Sequence, residues 1–400
     1  MPHGNAVIGQ SGGPTAVINQ SLVGIVRGLK QGGFDGRILG AHHAVAGIVE
    51  SDFIELQDLP EDVLDRLAAT PSSGLGSSRD KPDAEYLRRI LKSFQENDVR
   101  YFFYIGGNDS SDACRIIAEM AAAEDYDLVA YHCAKTIDND LMQSDHTPGY
   151  GSAAKFVACA FMGDDLDNRA LPGIKINVVM GRHAGFLTAA SILGRENPGD
   201  GPHLVYVPEA SFDLDTFLAD VEKVYRERGR CLIAVSEGIH DADGAPMAAK
   251  LAEASGGVEK DSHGNVQLSG SGALGDHLAN AIKDHFAKKD EKVRVRADTF
   301  GYLQRCFAGC VSEADQTEAH TAGEHAAKHA LAGEHRTGSI AIQRESPDAD
   351  VSYARVEISD VAALTRTLPE QYLKGGNDID DSFKDYLRPI VGELPVKEVL

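Results

Sequence analysis

Runs of apolar residues of strand length, each closed by a glycine-containing turn and followed by a segment of helical period, recur along this chain. NAVIGQ (5–10) is such a run and SGGPT (11–15) is its turn; in the segment that follows, Ile18, Leu22, Ile25, Val26 and Leu29 fall on one helical face. The succession returns at VRYFFYI (99–105), GGNDSS (106–111) and DACRIIAEMAAA (112–123), where Ala113, Ile116, Ile117, Met120 and Ala121 share a face. Looser forms are DLVAYHCA before KTIDND (135–140), KINVVM before GRHAGFLTAASIL (181–193), and RCLIAVSEG (230–238). Strands that are apolar on both sides and alternate with helices predict a mostly parallel sheet covered on both faces, hence an α/β fold. The return of the pattern after residue 150 predicts a second sheet of the same type. Ligands of such sheets bind in the loops at the carboxyl ends of the strands. EASGGVEKDSHGNVQLSGSG (253–272) reads as a surface connection between lobes, DVAALTRTLPEQYL (360–373) and its sequel as a helix-rich C-terminal segment, and the acidic GGNDIDDS (375–382) as a solvated loop with no helix behind it.

Composition narrows the partners rather than the fold. With 400 residues, 42% hydrophobic and 25% charged, the chain is globular and long enough for two or three cores. A formal net charge of -22 argues against nonspecific binding to nucleic acid or to an anionic membrane, both of which a protein meets with a basic face. An anionic substrate must then be met by local clusters of Lys and Arg. Cys114, Cys133, Cys159, Cys231, Cys306 and Cys310 show no CxxC spacing, which predicts reduced thiols rather than a zinc site or a disulfide framework, with Cys306 and Cys310 in the core. MPHGNAVIGQ lacks a basic and apolar leader, and no run approaches the roughly 18 apolar residues of a spanning helix. The expectation is a soluble, unexported, cytoplasmic protein.

Several loop stretches carry chemistry. SGGPT places Gly12 and Gly13 between strand and helix, where backbone N–H groups and a positive helix end meet an anion; taken alone it is equally a tight turn, and it is neither GxGxxG nor a P-loop. GLGSSRD (74–80) offers Arg79, whose planar fork suits phosphate oxygens. KTIDND sets Lys135, Asp138 and Asp140 at the end of a strand: a cation for phosphate, a base and a magnesium-organising carboxylate, or else a polar turn whose Asx side chains cap their own backbone. MGRHAG (180–185) and VRVRADTFGYLQR (293–305) add Arg182, Arg294, Arg296 and Arg305 to an acidic protein. HAAKH (325–329) spaces His325 and His329 as zinc ligands are spaced on a helix, but without HExxH or a third ligand it is not read as a metal site.

Taken in order, SGGPTAVIN, GSSR, GGNDS, KTIDND, MGRHAG, SEG and FGYLQR resemble the successive signature stretches of the phosphofructokinase family, from about residue 5 to 310. The resemblance implies two similar Rossmann-like lobes with mostly parallel sheets and the active site in the cleft between them. It implies a donor lobe of 1–149 plus about 305–355 and a sugar-phosphate lobe of about 150–304 plus 356–400, the C-terminal segment completing the second lobe or covering the cleft. Asp138 matches the family's base, which takes the proton from the C1 hydroxyl of fructose 6-phosphate; Asp140 supports it and organises Mg2+, and Lys135 and Arg182 complete the catalytic set. Thr136, Met180, Gly181, Arg182 and Glu237 match residues that hold the sugar, with Arg296, Tyr302 and Arg305 around its 6-phosphate. Some of those arginines come from a neighbouring subunit in this family, which implies a homodimer or homotetramer.

Two positions bear on the phosphoryl donor. ATP-using members resemble one another in Gly-Gly-Asp-Gly-Ser and Gly-Thr-Ile-Asp-Asn-Asp, pyrophosphate-using members in Gly-Gly-Asp-Asp-Ser and Lys-Thr-Ile-Asp-Asn-Asp. Here Asp109 and Lys135 stand where the ATP users carry glycine. A carboxylate at the first position crowds and repels a nucleotide's α-phosphate, and a lysine at the second supplies a cation for pyrophosphate. The resemblance therefore implies reversible phosphoryl transfer from magnesium pyrophosphate to O1 of fructose 6-phosphate, giving fructose 1,6-bisphosphate and phosphate, in glycolysis or gluconeogenesis. Gly12, Gly13, Arg79, Gly107, Asp109 and Lys135 would hold pyrophosphate. Asn108 departs from the family's aspartate and is a weaker magnesium ligand, so the metal is assigned to Asn108 and Asp109. Gly173 replaces an arginine of the ATP-using bacterial members, with Lys175 a candidate substitute. The alternatives are an ATP-dependent 6-phosphofructokinase, which differs at the two switch positions, a non-catalytic sugar-phosphate sensor, which requires a lost base, and a dinucleotide-dependent oxidoreductase, for which GxGxxG is missing.

Overall fold

The computed structural model describes residues 2–254 and 272–399. The connection expected at 253–272 lies outside the described residues, apart from the end of the helix Met247–Ala254 and from Gly272. The chain divides into two units, Met1–Ala153 with Arg305–Arg366, and Ala154–Gln304 with Thr367–Leu400. The second crossing falls after Arg366 rather than near 355, because Ile358 packs into the core of the first unit and the Arg366 N–H donates to the Asp140 carbonyl at 2.7 Å.

Among the described residues the first unit holds one large sheet, built from β1 (Asn5–Gln10), β2 (Ile38–Ala41), β3 (Phe53–Glu55), β4 (Val99–Gly106), β5 (Val129–Ala134), and the later strands β10 (Thr337–Gln343) and β11 (Ser352–Val356). Its order is β11-β10-β5-β4-β1-β2-β3, parallel except at the two edges, where β11 and β3 run antiparallel to their neighbours. Side chains alternate as the strand period requires. Ala6, Ile8, Tyr101, Phe103, Ile105, Tyr131 and Cys133 enter one core, while Val7, Phe102, Tyr104 and Ala130 enter the other. Both faces are buried, which explains why these strands read as continuous apolar runs.

The first core is closed by the helices Ile18–Gln31 and Glu313–Ala332, and the five residues expected on the inner face of the former are all buried. The two helices approach so closely that a Cβ on Gly24 would lie 2.0 Å from the His320 carbonyl oxygen. The helices Ala84–Glu96 and Asn108–Ala123 supply the second core.

In the second unit β6 (Ile174–Val179), β7 (Leu204–Tyr206), β8 (Cys231–Ser236) and β9 (Val295–Thr299) form an all-parallel sheet in the order β7-β8-β6-β9. The predicted second sheet is thus present.

Three local expectations fail. DVAALTRTLPEQYL forms short 3-10 turns, Ile358–Asp360 and Glu370–Tyr372, because Ala363 takes a left-handed φ of 58° and Pro369 ends any helix. GGNDIDDS is no solvated loop: it closes a hairpin of Leu373–Lys374 with Asp378–Ile379 and leads into the helix Ser382–Val391, whose Phe383, Leu387 and Ile390 are buried at helical spacing. Cys306 and Cys310 are half-exposed rather than core residues, lying on short turns after β9. Among the described residues no helix is long and apolar enough to cross a membrane.

Candidate active site

In the first unit the loops after β1, β4 and β5 are bound to one another. The Ser110 hydroxyl donates to Ser11 Oγ at 2.9 Å, joining the GGNDS and SGGPT turns. The Gly106 carbonyl accepts from the Lys135 N–H at 2.9 Å and from His132 Nε2 at 2.8 Å. His132 is wholly buried, with Nδ1 2.8 Å from Ser339 Oγ, and burial lowers its pKa to about 4, so a neutral imidazole braces Gly106, the first residue of GGNDS. A histidine in the otherwise uncharged strand VAYHCA (129–134) was the sequence signal for this role.

Gly12 takes φ 75°, a conformation that costs glycine little. Its N–H does not await an anion, as expected of SGGPT, because it donates to the Ser78 carbonyl at 3.0 Å, and the Ser77 hydroxyl donates to the Gly12 carbonyl at 2.6 Å. The loop that carries Arg79 is thereby fastened to SGGPT.

Lys135 is the centre of this group. It is buried, and Nζ donates to the Gly13 carbonyl at 2.7 Å. Burial, together with the charges of Arg305 and Arg79 and against the opposing effect of Asp138, depresses its pKa to about 7. A Cβ on Gly13 would meet the Arg305 guanidinium at 3.1 Å. Arg305, expected at the sugar 6-phosphate, therefore lies against the glycine loop beside Lys135: the chain crosses into the first unit between Gln304 and Arg305 and carries the side chain with it.

Asp138 and Asp140 follow on the same loop. The Asp138 N–H donates to Thr136 Oγ1 at 3.1 Å, the local turn that a polar KTIDND sequence favours. Asp140 is raised to about 7 by burial and by the neighbouring Asp138 charge, and it accepts from Asn108 Nδ2 at 3.3 Å. Asn108 Oδ1 is buried without a hydrogen-bond partner. Asp109, expected beside it as a metal ligand and near pyrophosphate, points elsewhere: it is 79% exposed and pairs with Lys81 at 3.1 Å. Consecutive helical residues differ by about 100° in direction, so Asn108 faces Asp140 while Asp109 faces solvent. Among the described residues no three His, Cys, Asp or Glu side chains are gathered for a metal. An orphaned amide oxygen beside the half-buried Asp140 carboxylate nevertheless fits an ion that takes one or two protein oxygens and completes its shell with phosphate and water, which is how magnesium is usually held.

The second unit carries the other predicted residues. Met180, Gly181 and Arg182 follow β6 and Glu237 follows β8, with the Ser236 hydroxyl donating to the Gly181 carbonyl at 2.7 Å. Gly238 packs on that loop, where a Cβ would lie 2.1 Å from the Arg182 carbonyl oxygen. The Gly185 N–H donates to Glu209 at 2.9 Å, an anchor with no signature in the sequence. Tyr302, exposed, follows β9. Arg296 is not gathered with them, because it is the second residue of β9 and so stands at the amino end of its strand. Lys175 is engaged by Asp298 and lies 3.8 Å from Asp164, so it is no free counterpart of the arginine replaced by Gly173. His325 stacks on Tyr353 at 5.0 Å, with His329 at 6.3 Å.

The order of these loops on two parallel sheets agrees with a family model described as Phosphofructokinase, which matches residues 5–330. The chain belongs to the phosphofructokinase family. It is 53% identical to a pyrophosphate–fructose 6-phosphate 1-phosphotransferase of Rhodospirillum rubrum across 98% of this chain and 95% of that protein. A protein of the same description from Halomonas elongata is 34% identical across 98% of this chain and 92% of its own length. A crystal structure of a pyrophosphate-dependent phosphofructokinase from Nitrosospira multiformis superposes with a TM-score of 0.84 at 30% identity, covering 100% of this chain and 95% of that one. Within this family member, Lys135, Asp138, Asp140, Asn108, Arg79 and Arg305 collect at the loops of the first unit, and Met180, Gly181, Arg182 and Glu237 at those of the second.

Proposed function

We propose that the chain transfers a phosphoryl group reversibly from magnesium pyrophosphate to O1 of fructose 6-phosphate, giving fructose 1,6-bisphosphate and phosphate. The observation that carries the reading is Lys135: a buried cation at the carboxyl end of β5, on the Gly13 carbonyl and beside Arg79 and Arg305, supports a compact, highly charged donor rather than a nucleotide. Its pKa near 7 leaves the amine ready to gain a proton as the anionic donor arrives. Phosphoryl transfer depends mainly on alignment and charge stabilisation, and both fall to residues of this chain. Gly13, Gly107, Arg79, Lys135 and Arg305 hold the donor, and Gly12 shapes their loop through its bonds to Ser77 and Ser78. Thr136, Met180, Gly181, Arg182 and Glu237 hold the sugar, and Tyr302 its 6-phosphate. Asp138 accepts the proton from the C1 hydroxyl as that oxygen meets phosphorus, and Asp140 sustains its orientation. Asn108 and Asp140 would hold Mg2+, which would supply charge neutralisation for the transferred group. The exclusion of a nucleotide's α-phosphate assigned to Asp109 rests on its place in the GGNDS motif, since its carboxylate pairs with Lys81 on the exposed first turn of its helix. The exposed Arg296 supports service to a second copy of the chain, hence a homodimer or homotetramer in the cytoplasm.

Initial rates of fructose 1,6-bisphosphate formation, with magnesium, fructose 6-phosphate and either pyrophosphate or ATP as sole donor, test the proposal. Turnover is expected with pyrophosphate and not with ATP. Turnover with ATP alone would overturn the reading of Asp109 and Lys135.

A further inference from the structure

We infer that Arg366 is a positioning residue for the KTIDND loop. The inference rests on the proposed phosphotransfer for the reaction it serves, and it gives a role to a segment beyond the residues 5–330 matched by the family.

The loop leaves β5 and reverses at Asn139, which lies between the two aspartates with a buried side chain and a left-handed φ of 59°. A non-glycine residue in that region keeps its conformation only where its neighbours fix it. Here the fixing group comes from far along the chain. Leu141 and Thr365 form an antiparallel bridge, and the Arg366 N–H donates to the Asp140 carbonyl at 2.7 Å. Its guanidinium donates to the Asn139 carbonyl from Nε at 3.2 Å and from Nη2 at 2.9 Å, and from Nη1 to the Ser144 carbonyl. One planar fork thus holds the carbonyl at the apex of the reversal and a second carbonyl on its returning limb. A rigid guanidinium spans two such acceptors, whereas a lysine ammonium is a single point of charge on a flexible stem. Backbone held at Asn139, Asp140 and Ser144 fixes the direction of the carboxylates at Asp138 and Asp140. In the second unit the same short segment has its own anchor: the Leu368 N–H donates at 2.7 Å to Glu209 Oε1, the oxygen that accepts from Gly185 of the MGRHAG loop.

The test compares the full-length wild type with Arg366→Ala and Arg366→Lys in steady-state kinetics, thermal unfolding and amide hydrogen exchange. Arg366→Ala is expected to lower kcat roughly 10- to 100-fold, the effect of a small misplacement of reacting groups, and to leave both KM values within a factor of about 3. Arg366→Lys recovers part of the loss, and millimolar guanidinium restores activity to Arg366→Ala in a saturable way. Exchange rises in peptides covering 136–149 while β1 and β4 stay protected. An unchanged kcat in folded Arg366→Ala overturns the inference. So does a fall that tracks a lowered melting temperature, with exchange raised throughout and no response to guanidinium, since that marks a general structural role. If the wild type is inert with pyrophosphate, the functional reading fails on its own, and unchanged protection of 136–149 in Arg366→Ala still rejects the role of Arg366.

Discussion

Lys135→Met removes a buried ammonium while nearly matching its stem, and the structure fixes the sign of two consequences. Burial and the Arg305 charge bring the amine from 10.5 in the unfolded chain to about 7 in the fold. Between those values the unfolded chain holds a proton that the folded one has released. Stability therefore rises with pH across the window, by at most about 1.4 kcal/mol per pH unit. From pH 6 to pH 9 this residue contributes an increase of about 2 to 3 kcal/mol, all of which the methionine variant lacks. Urea unfolding at both pH values should show the free-energy difference, wild type minus variant, growing by that amount at the higher pH. Titrating groups remote from Lys135 are common to both proteins and drop out of the difference, leaving Lys135 and the groups that feel its charge, His132, Asp138 and Cys306. Profiles that run parallel from pH 6 to pH 9 would refute the argument, because they would mean that Lys135 keeps its ordinary pKa. The second consequence is kinetic. A charged hydrogen bond is worth about 1.5 to 3 kcal/mol, so kcat/KM for pyrophosphate is expected to fall roughly 10- to 100-fold, with the KM for fructose 6-phosphate little changed.

Asp138→Asn is expected to lower kcat by roughly 10² to 10⁴ with sugar affinity retained, and a retained kcat would remove Asp138 as the base. Asp109→Gly with Lys135→Gly should permit measurable turnover with ATP while pyrophosphate turnover collapses; a double variant still confined to pyrophosphate would show that donor choice is set elsewhere in the loops. Gly24→Ala drives a methyl to 2.0 Å from the His320 carbonyl and should destabilise the first unit by about 1 to 3 kcal/mol, read as a lowered melting temperature, since both helices must shift to admit it. Ala44 adopts φ 56° and ψ -126°, so Ala44→Gly should relieve about 1 kcal/mol of backbone strain and raise the melting temperature; a lower one would count against strain there.

The sheets were legible because their signal is local. A strand buried on both faces must be apolar throughout, and a helix that closes the core must repeat its apolar residues at helical spacing, as Ile18, Leu22, Ile25, Val26 and Leu29 do. What failed was decided by contacts distant in sequence. The helix expected to begin at Asp112 begins at Asn108, because the Ser110 and Ser111 N–H groups find the Gly107 carbonyl and extend it through residues that read as a turn. The helix-forming residues of 360–373 stay non-helical because the segment is tied to other loops, at Leu141 and Asp140 on one side and at Glu209 on the other. The terminal helix was hidden by Pro389 in its last turn.

The candidate site divides along the same line. Lys135, Asp138 and Asp140 declare themselves because their chemistry sits within six residues of one loop, whose turn is capped at the Asp138 N–H by the Thr136 hydroxyl rather than by the Asx side chains of the alternative reading. That local hydrogen bond shapes the backbone and leaves the carboxylates to other partners. Arg305 was assigned by its neighbours in FGYLQR, but direction is set by the crossing between Gln304 and Arg305, which a motif does not encode. Arg366 has no motif at all. Its three neighbours on either side, Ala363, Leu364, Thr365, Thr367, Leu368 and Pro369, carry no charge, and nothing local marks it as more than a surface cation. Its importance follows from a requirement of the loop, since a left-handed Asn139 between Asp138 and Asp140 needs its carbonyl held. A chain that places carboxylates in so tight a reversal must supply a donor from outside it, so loops of this kind are better searched for their backbone acceptors than for their side chains.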